Sequence, residues 1–210
     1  MTTNKIIQGE INKIAETHFY LRVQLEIMLK RTQITEEGKP FALGCSNYYD
    51  YWTKSLNDNF FDMGTYIRLG TSIESGLKKH YMDKKGHKNL VKLQLDPKYK
   101  MNIFQKIQSW TNDNAIELFE SEFGIDLNTI ETFKELQRIM LHRHLYAHNS
   151  GLINEKYIQN LKTLTGIDLM TAPEIVAHYP NEDVYYFKPL KTLNKDIEFV
   201  RKFFNVLNKI

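Results

Sequence analysis

What most constrains this chain is the spacing of its apolar residues. Stretch after stretch repeats at three- and four-residue steps, the period of an α-helix with one buried face. Ile7, Ile11, Ile14, His18, Leu21, Leu25 and Met28 mark the first stretch and predict a long helix over about residues 4–31, buried along that stripe. Glu36-Glu37-Gly38-Lys39-Pro40 breaks it. Residues 57–82 are helical again, with Phe60, Met63, Ile67, Ile73 and Leu77 on or near one face. Gly64, Gly70 and Gly76 fall inside that second helix. A glycine there costs about 1 kcal/mol relative to alanine, so a close neighbour is expected along this backbone.

Residues 83–100 are rich in lysine, contain Gly86 and Pro97, and read as a connector. Ile103, Phe104, Ile107 and Trp110 open a further helical region that reaches Phe123, broken near residues 111–114, and Gly124 ends it. Asn128 or Thr129 is the expected cap of the next helix, with Glu131 or Glu135 in its early turns. Ile130, Phe133, Leu136, Ile139 and Met140 give that helix its apolar face, and Gly151 is a left-handed stop. A short helix over residues 155–164 follows. Ile175-Val176 and Val184-Tyr185-Tyr186-Phe187 flank Pro180-Asn181-Glu182-Asp183, the pattern of a small hairpin. Leu193, Ile197, Val200, Phe203 or Phe204, Leu207 and Ile210 mark a last amphipathic helix. The expected fold is therefore one all-α domain, a helical bundle with a small β-hairpin before its C-terminal helix.

Composition narrows the function classes. With 210 residues the chain can bury a proper core, and its formal net charge of +3 is too mild to announce a nucleic-acid binder, though it leaves room for a local basic patch. Cys45 is the single cysteine, which rules out an intramolecular disulfide or a multi-cysteine zinc site, and with no recognisable base partner it reads as inert. No apolar run approaches the ~20 residues that span a bilayer. Met1-Thr2-Thr3-Asn4-Lys5 leads into an amphipathic segment rather than an apolar one, so no signal peptide is expected and the cytoplasm is the expected compartment.

Chemistry concentrates in Leu141-His142-Arg143-His144-Leu145-Tyr146-Ala147-His148-Asn149-Ser150-Gly151, at the end of a helix. An arginine fork can hold a phosphodiester and neutralise its developing charge. A histidine can move the proton of a ribose 2′-hydroxyl near neutral pH. Five helical residues rotate about 140° around the axis, so Arg143 and His148 share a cleft only if the last turn loosens. His144 and His148, four apart, share a face. Blander readings stand beside this one. Arg143 can be a surface arginine paired with an acidic neighbour, and His148 a helix-end histidine favoured by the dipole. His142, His144 and His148 can be zinc ligands, although no glutamate follows in His-Glu-x-x-His order.

The stretch Arg143-His144-Leu145-Tyr146-Ala147-His148 resembles the signature of the HEPN superfamily: an arginine, a polar residue, three variable residues and a histidine. The resemblance extends upstream to the helix Tyr66-Ile67-Arg68-Leu69-Gly70-Thr71-Ser72-Ile73-Glu74-Ser75-Gly76-Leu77-Lys78, and downstream through Asn149-Ser150-Gly151 to Glu155-Lys156-Tyr157. It covers residues 58–210 as a HEPN-like core; residues 1–57 form a helical extension with no counterpart. The resemblance implies a metal-independent endoribonuclease of the phage-defence or toxin type, with two signatures facing each other across a symmetric homodimer and no cofactor. It assigns Arg143 to the scissile phosphate and His148 to proton transfer. His144 then orients His148 or contacts phosphate, and Glu74 holds Arg143 or a histidine in place. Asn149 and Arg68 are carried as substrate contacts, although Arg68 by itself reads first as a salt-bridge partner. Other members are catalytically silent and bind RNA, a nucleotide or a protein. A third reading is the helical subunit of a nucleotidyltransferase-associated toxin–antitoxin complex, with its partner encoded nearby.

Two further groups are ambiguous. Tyr48, Tyr49, Tyr51 and Trp52 suit a core or an interface better than a base-stacking platform. Lys78, Lys79, Lys84, Lys85, Lys88, Lys92, Lys98 and Lys100 suit a phosphate track and a solvated loop equally. His18, on the apolar stripe of the first helix, reads as a satisfied core residue.

Overall fold

The computed structural model describes residues 3–34, 60–86, 96–97, 107, 114–149, 151–167, 176–179, 184–187 and 193–210. The described residues are mostly helical. The long helix α1, Thr3–Ile34, packs on α2, Phe60–Lys84, and on the C-terminal helix α6, Leu193–Leu207. Between them in sequence lie α3, Asn114–Phe123, and α4, Phe133–Asn149, with α5, Glu155–Thr165, folding back on α4. Strands β1, Val176–Tyr179, and β2, Val184–Phe187, pair antiparallel with Val176 opposite Phe187. The turn expected between them, Pro180 to Asp183, lies outside the described residues. So do Cys45, the tyrosine–tryptophan cluster, Ile103, Phe104, Trp110, Ser150, and Lys88, Lys92, Lys98 and Lys100 of the connector.

α2 and α4 cross at the centre of the molecule. The inward face of α2 is Tyr66, Leu69, Ile73, Leu77 and Tyr81, and α4 meets it with Phe133, Leu136, Ile139, Met140 and Leu145. α6 closes the core with Val200, Phe203, Phe204 and Leu207; both phenylalanines are buried, while Ile210, expected on that stripe, is 55% exposed. Gly76 lies under Phe204, and a Cβ there would enter the phenyl ring. The close neighbour expected along α2 is thus present at Gly76 and, as described below, at Gly70. It is absent at Gly64, where a Cβ would meet nothing within 4 Å.

The stripe of α1 is buried over only part of its length. Ile7, Ile11 and Ile14 are buried, and His18 places Nδ1 3.0 Å from the Thr65 hydroxyl. Leu21, expected on the same buried stripe, is 40% exposed, and Phe19, Tyr20 and Ile27 are exposed around it. The helix is about 48 Å long at 1.5 Å per residue, longer than α2 or α6 against which it packs.

Element ends follow local chemistry. Gly124 at φ +66° donates to Glu120 O at 2.8 Å and stops α3. The expected cap at Asn128 or Thr129 is corrected. Asp126 accepts from Asn128 N at 2.9 Å and caps a 3-10 turn, Leu127–Thr129, so α4 starts only at Phe133. Ile130 belongs to that approach and is still buried. Asn154 caps α5 by accepting from Tyr157 N at 2.9 Å, and Gly151 and Gly166 take φ +87° and +73° at the helix exits. No helix among the described residues is long and apolar enough to cross a membrane.

Candidate functional site

Two arginines on α4, Arg138 and Arg143, are treated oppositely by the fold. Each of the three Arg138 nitrogens has a partner. Its Nε donates to Glu135 at 2.8 Å, Nη1 to His142 Nε2 at 3.0 Å, and Nη2 to the buried Asp196 of α6. Asp196 also accepts from the Tyr66 hydroxyl of α2. Because a guanidinium can only donate, His142 Nε2 must accept. Its proton therefore sits on Nδ1, which donates to the Tyr157 hydroxyl of α5 at 2.6 Å. Burial first, and the Arg138 charge second, hold His142 well below the ordinary imidazole range. This imidazole is neutral, and its tautomer is set by its neighbours.

Arg143 is not saturated. Its stem lies across α2 at Gly70, where a Cβ would stand 2.5 Å from Arg143 Cγ and 2.9 Å from its Cβ. Only glycine permits that approach. The guanidinium reaches Glu74 of α2 at 3.9 Å, an ion pair too long for a hydrogen bond. Its Nε–H is buried and has no hydrogen-bond partner among the described residues. Glu74 is buried, which pushes its carboxyl above the ordinary range against the opposing pull of Arg143 and Lys78. Arg143 is thus oriented by packing and by charge while its Nε–H stays unspent. A buried donor without a partner calls for an explanation.

Beyond Arg143 the last two turns of α4 carry an imidazole pair. His144 and His148 are exposed, with ring centroids 4.5 Å apart. Burial, then the charges of His148, Arg143 and Lys156, hold His144 below the ordinary imidazole range. Lys156 belongs to the first turn of α5, so the charges acting on His144 come from two helices. This is a surface suited to an anion.

No family model, curated protein or solved structure matches this chain. The site therefore stands on its own geometry. Of the residues expected there, the structure brings Glu74 to Arg143 and His144 to His148. Among the described residues no hydrogen bond, ion pair or ring contact joins Arg143 to His148, because α4 stays helical through Asn149 and the last turn does not loosen. Asn149 ends the helix, its carbonyl accepting from Leu152 N at 2.9 Å. Arg68 is exposed on α2, and no described contact links it to Arg143, His144 or His148.

The zinc reading of the three histidines does not fit this arrangement. His142 turns into the core and spends both ring nitrogens on Arg138 and Tyr157, while His144 and His148 face outward. Sequence reasoning missed Arg138, Tyr157, Asp196 and Tyr66, and weighed His142 only as a ligand. A signal was present: Arg138 and His142 sit four apart within an apolar stripe, and Asp196 stands beside Ile197 on another.

Proposed function

We propose that this chain is a HEPN-type, metal-independent endoribonuclease. The observation that carries the reading is the buried, unpartnered Nε–H of Arg143, directly before the exposed His144–His148 imidazole pair. Arg143 grips the scissile phosphate through the donors Glu74 leaves free and stabilises the charge of the pentacoordinate transition state. One imidazole of the His144–His148 pair takes the proton of the ribose 2′-hydroxyl as its oxygen attacks phosphorus. The 5′-oxygen leaves with a proton from the other imidazole, acting as general acid. The products carry a 2′,3′-cyclic phosphate and a 5′-hydroxyl.

Within one chain, no hydrogen bond, ion pair or ring contact among the described residues joins Arg143 to His148. A two-fold pairing of α4 ends would supply each Arg143 with the partner's histidines, and we assign the active form to such a homodimer. The HEPN-like bundle in this proposal comprises α2 to α6 with β1 and β2 as its hairpin; α1 is the added element.

Expression in bacteria tests the reading. The wild type should slow growth, and His148→Ala should relieve the arrest at equal protein level. Equal toxicity of the two would remove the catalytic assignment. A harmless wild type that binds RNA with a steep salt dependence, unchanged in His148→Ala, would indicate a silent RNA-binding module instead.

A further inference from the structure

The second half of α1 reaches past the helix that holds its first half. α1 and α2 run antiparallel: Glu10 accepts from Lys79 Nζ at 2.9 Å, and His18 Nδ1 stands 3.0 Å from the Thr65 hydroxyl. From that level α1 runs about 24 Å further to Ile34, while α2 has only about 7.5 Å left to its start at Phe60. The overhang is apolar on one side. Phe19 and Tyr20 are 70% and 62% exposed, Ile27 is exposed, and Val23 between them is half-buried. At about 100° per residue, Phe19, Val23 and Ile27 fall within about 80° of one another, and about 150° round the axis from Ile7, Ile11, Ile14 and His18. α1 therefore carries two apolar faces, one spent on α2 and α6 and one turned away from them. Single apolar residues on a surface are ordinary, but a continuous row marks a contact surface.

The charges at the two ends of this row say what fits it. Glu16, which is exposed, stands three residues before Phe19, and Lys30 three residues after Ile27. Along the helix the face reads acid, Phe19, Val23, Ile27, base, at steps of three, four, four and three. Reversed about Val23, that order is its own complement. An antiparallel copy meets acid with base and apolar with apolar, whereas a parallel copy sets like charges at the same level.

We propose that this face is an interface with a second copy of the chain, an antiparallel pairing of the two α1 overhangs about a two-fold axis at Val23. Phe19 packs on Ile27 of the partner subunit, and Glu16 faces Lys30 of the partner subunit. The paired stretch from Glu16 to Lys30 is about 21 Å long. A single helix pair of that length falls short of the ~800 Å² per partner of a standard interface, so the association is reversible. Because the face points away from α2 and α6, this contact is separate from the pairing of α4 ends assigned above, and it does not rest on the ribonuclease reading.

The test is the mass of the full-length protein by sedimentation equilibrium over roughly a hundredfold range of concentration. The wild type should associate as concentration rises. Phe19→Asp should sediment at half the wild-type mass at the highest concentration, with an unchanged melting temperature because Phe19 is exposed. Glu16→Lys should weaken association on the order of threefold, and adding Lys30→Glu should restore it. In a Cys45→Ser background, Val23→Cys should cross-link to a covalent dimer under mild oxidation, because each copy meets the other there. Lys13→Cys, ten residues from the two-fold axis, should not. A wild type that keeps the mass of one chain at every concentration would overturn the proposal, as would an unchanged mass in Phe19→Asp. An unchanged mass together with a lowered melting temperature would place the chain itself over this face. Cross-linking of Lys13→Cys as readily as Val23→Cys would overturn the antiparallel register. None of these readouts requires RNA cleavage, so a failed ribonuclease assay leaves the interface standing.

Discussion

Arg138 and Arg143 are the same residue type on the same helix, and what separates them is how many of their donors the fold consumes. Arg138 neutralises a buried carboxylate, so its removal leaves Asp196 charged and without that partner, a change that costs about 3–5 kcal/mol. Arg143 faces Glu74 at 3.9 Å and is a quarter exposed, so its removal should cost about 1 kcal/mol or less. Chemical denaturation of Arg138→Ala and Arg143→Ala measures both; equal losses would contradict the division between an arginine the fold depends on and one it does not. The glycines of α2 divide in the same way. Gly64→Ala meets open space and should stabilise the helix by about 0.5–1 kcal/mol. Gly70→Ala drives a methyl into the root of the Arg143 side chain, which cannot swing aside as a chain end could. It should destabilise by about 1–3 kcal/mol. Arg143, His144 and His148 were legible as candidates in the sequence because their types and spacing suit phosphate chemistry. The pairing of the three Arg138 nitrogens was not, because its deciding partner, Asp196, lies 58 residues away.

Helices were the more legible scale, and their failures share one cause. Periodicity reports which residues of a segment are apolar but not whether another element arrives to cover them. The stripe of α1 therefore continues in sequence past His18, yet Leu21 is left partly in solvent. The start of α4 slipped for a related reason: Asp126 caps a 3-10 turn first, a competing local structure that the Asn128–Thr129 pattern does not reveal. Helix packing also sets the response to pH. His142, between α4 and α5, and His80, stacked on Phe119 between α2 and α3, are both held below the ordinary imidazole range by burial above all. In the unfolded chain each takes up a proton near pH 6.5 that the fold resists, so stability is lost as pH falls below about 6.5. Glu74 acts in the opposite sense, because its raised pKa lets the fold bind a proton before the unfolded chain does. Two buried imidazoles outweigh one carboxyl, and the melting temperature should be lower at pH 5 than at pH 7. A melting temperature that rises over that interval would contradict the buried neutral state of the two histidines.

At the scale of the whole molecule, the helical class followed from apolar spacing alone, and the crossing of α2 and α4 explains why the site lies where it does. That crossing brings Glu74 to Arg143 across Gly70, so an acidic and a basic residue 69 positions apart become one unit. The remaining question is whether that unit cuts RNA. The most direct measurement is cleavage of a labelled RNA in EDTA by the wild type, Arg143→Ala and His148→Ala, with the product ends identified. We predict cleavage by the wild type that leaves 2′,3′-cyclic phosphate and 5′-hydroxyl ends, and a loss on the order of a hundredfold or more in each variant. Cleavage at equal rates by all three proteins, or none by the wild type, would contradict the assignment of Arg143 and His148 to catalysis.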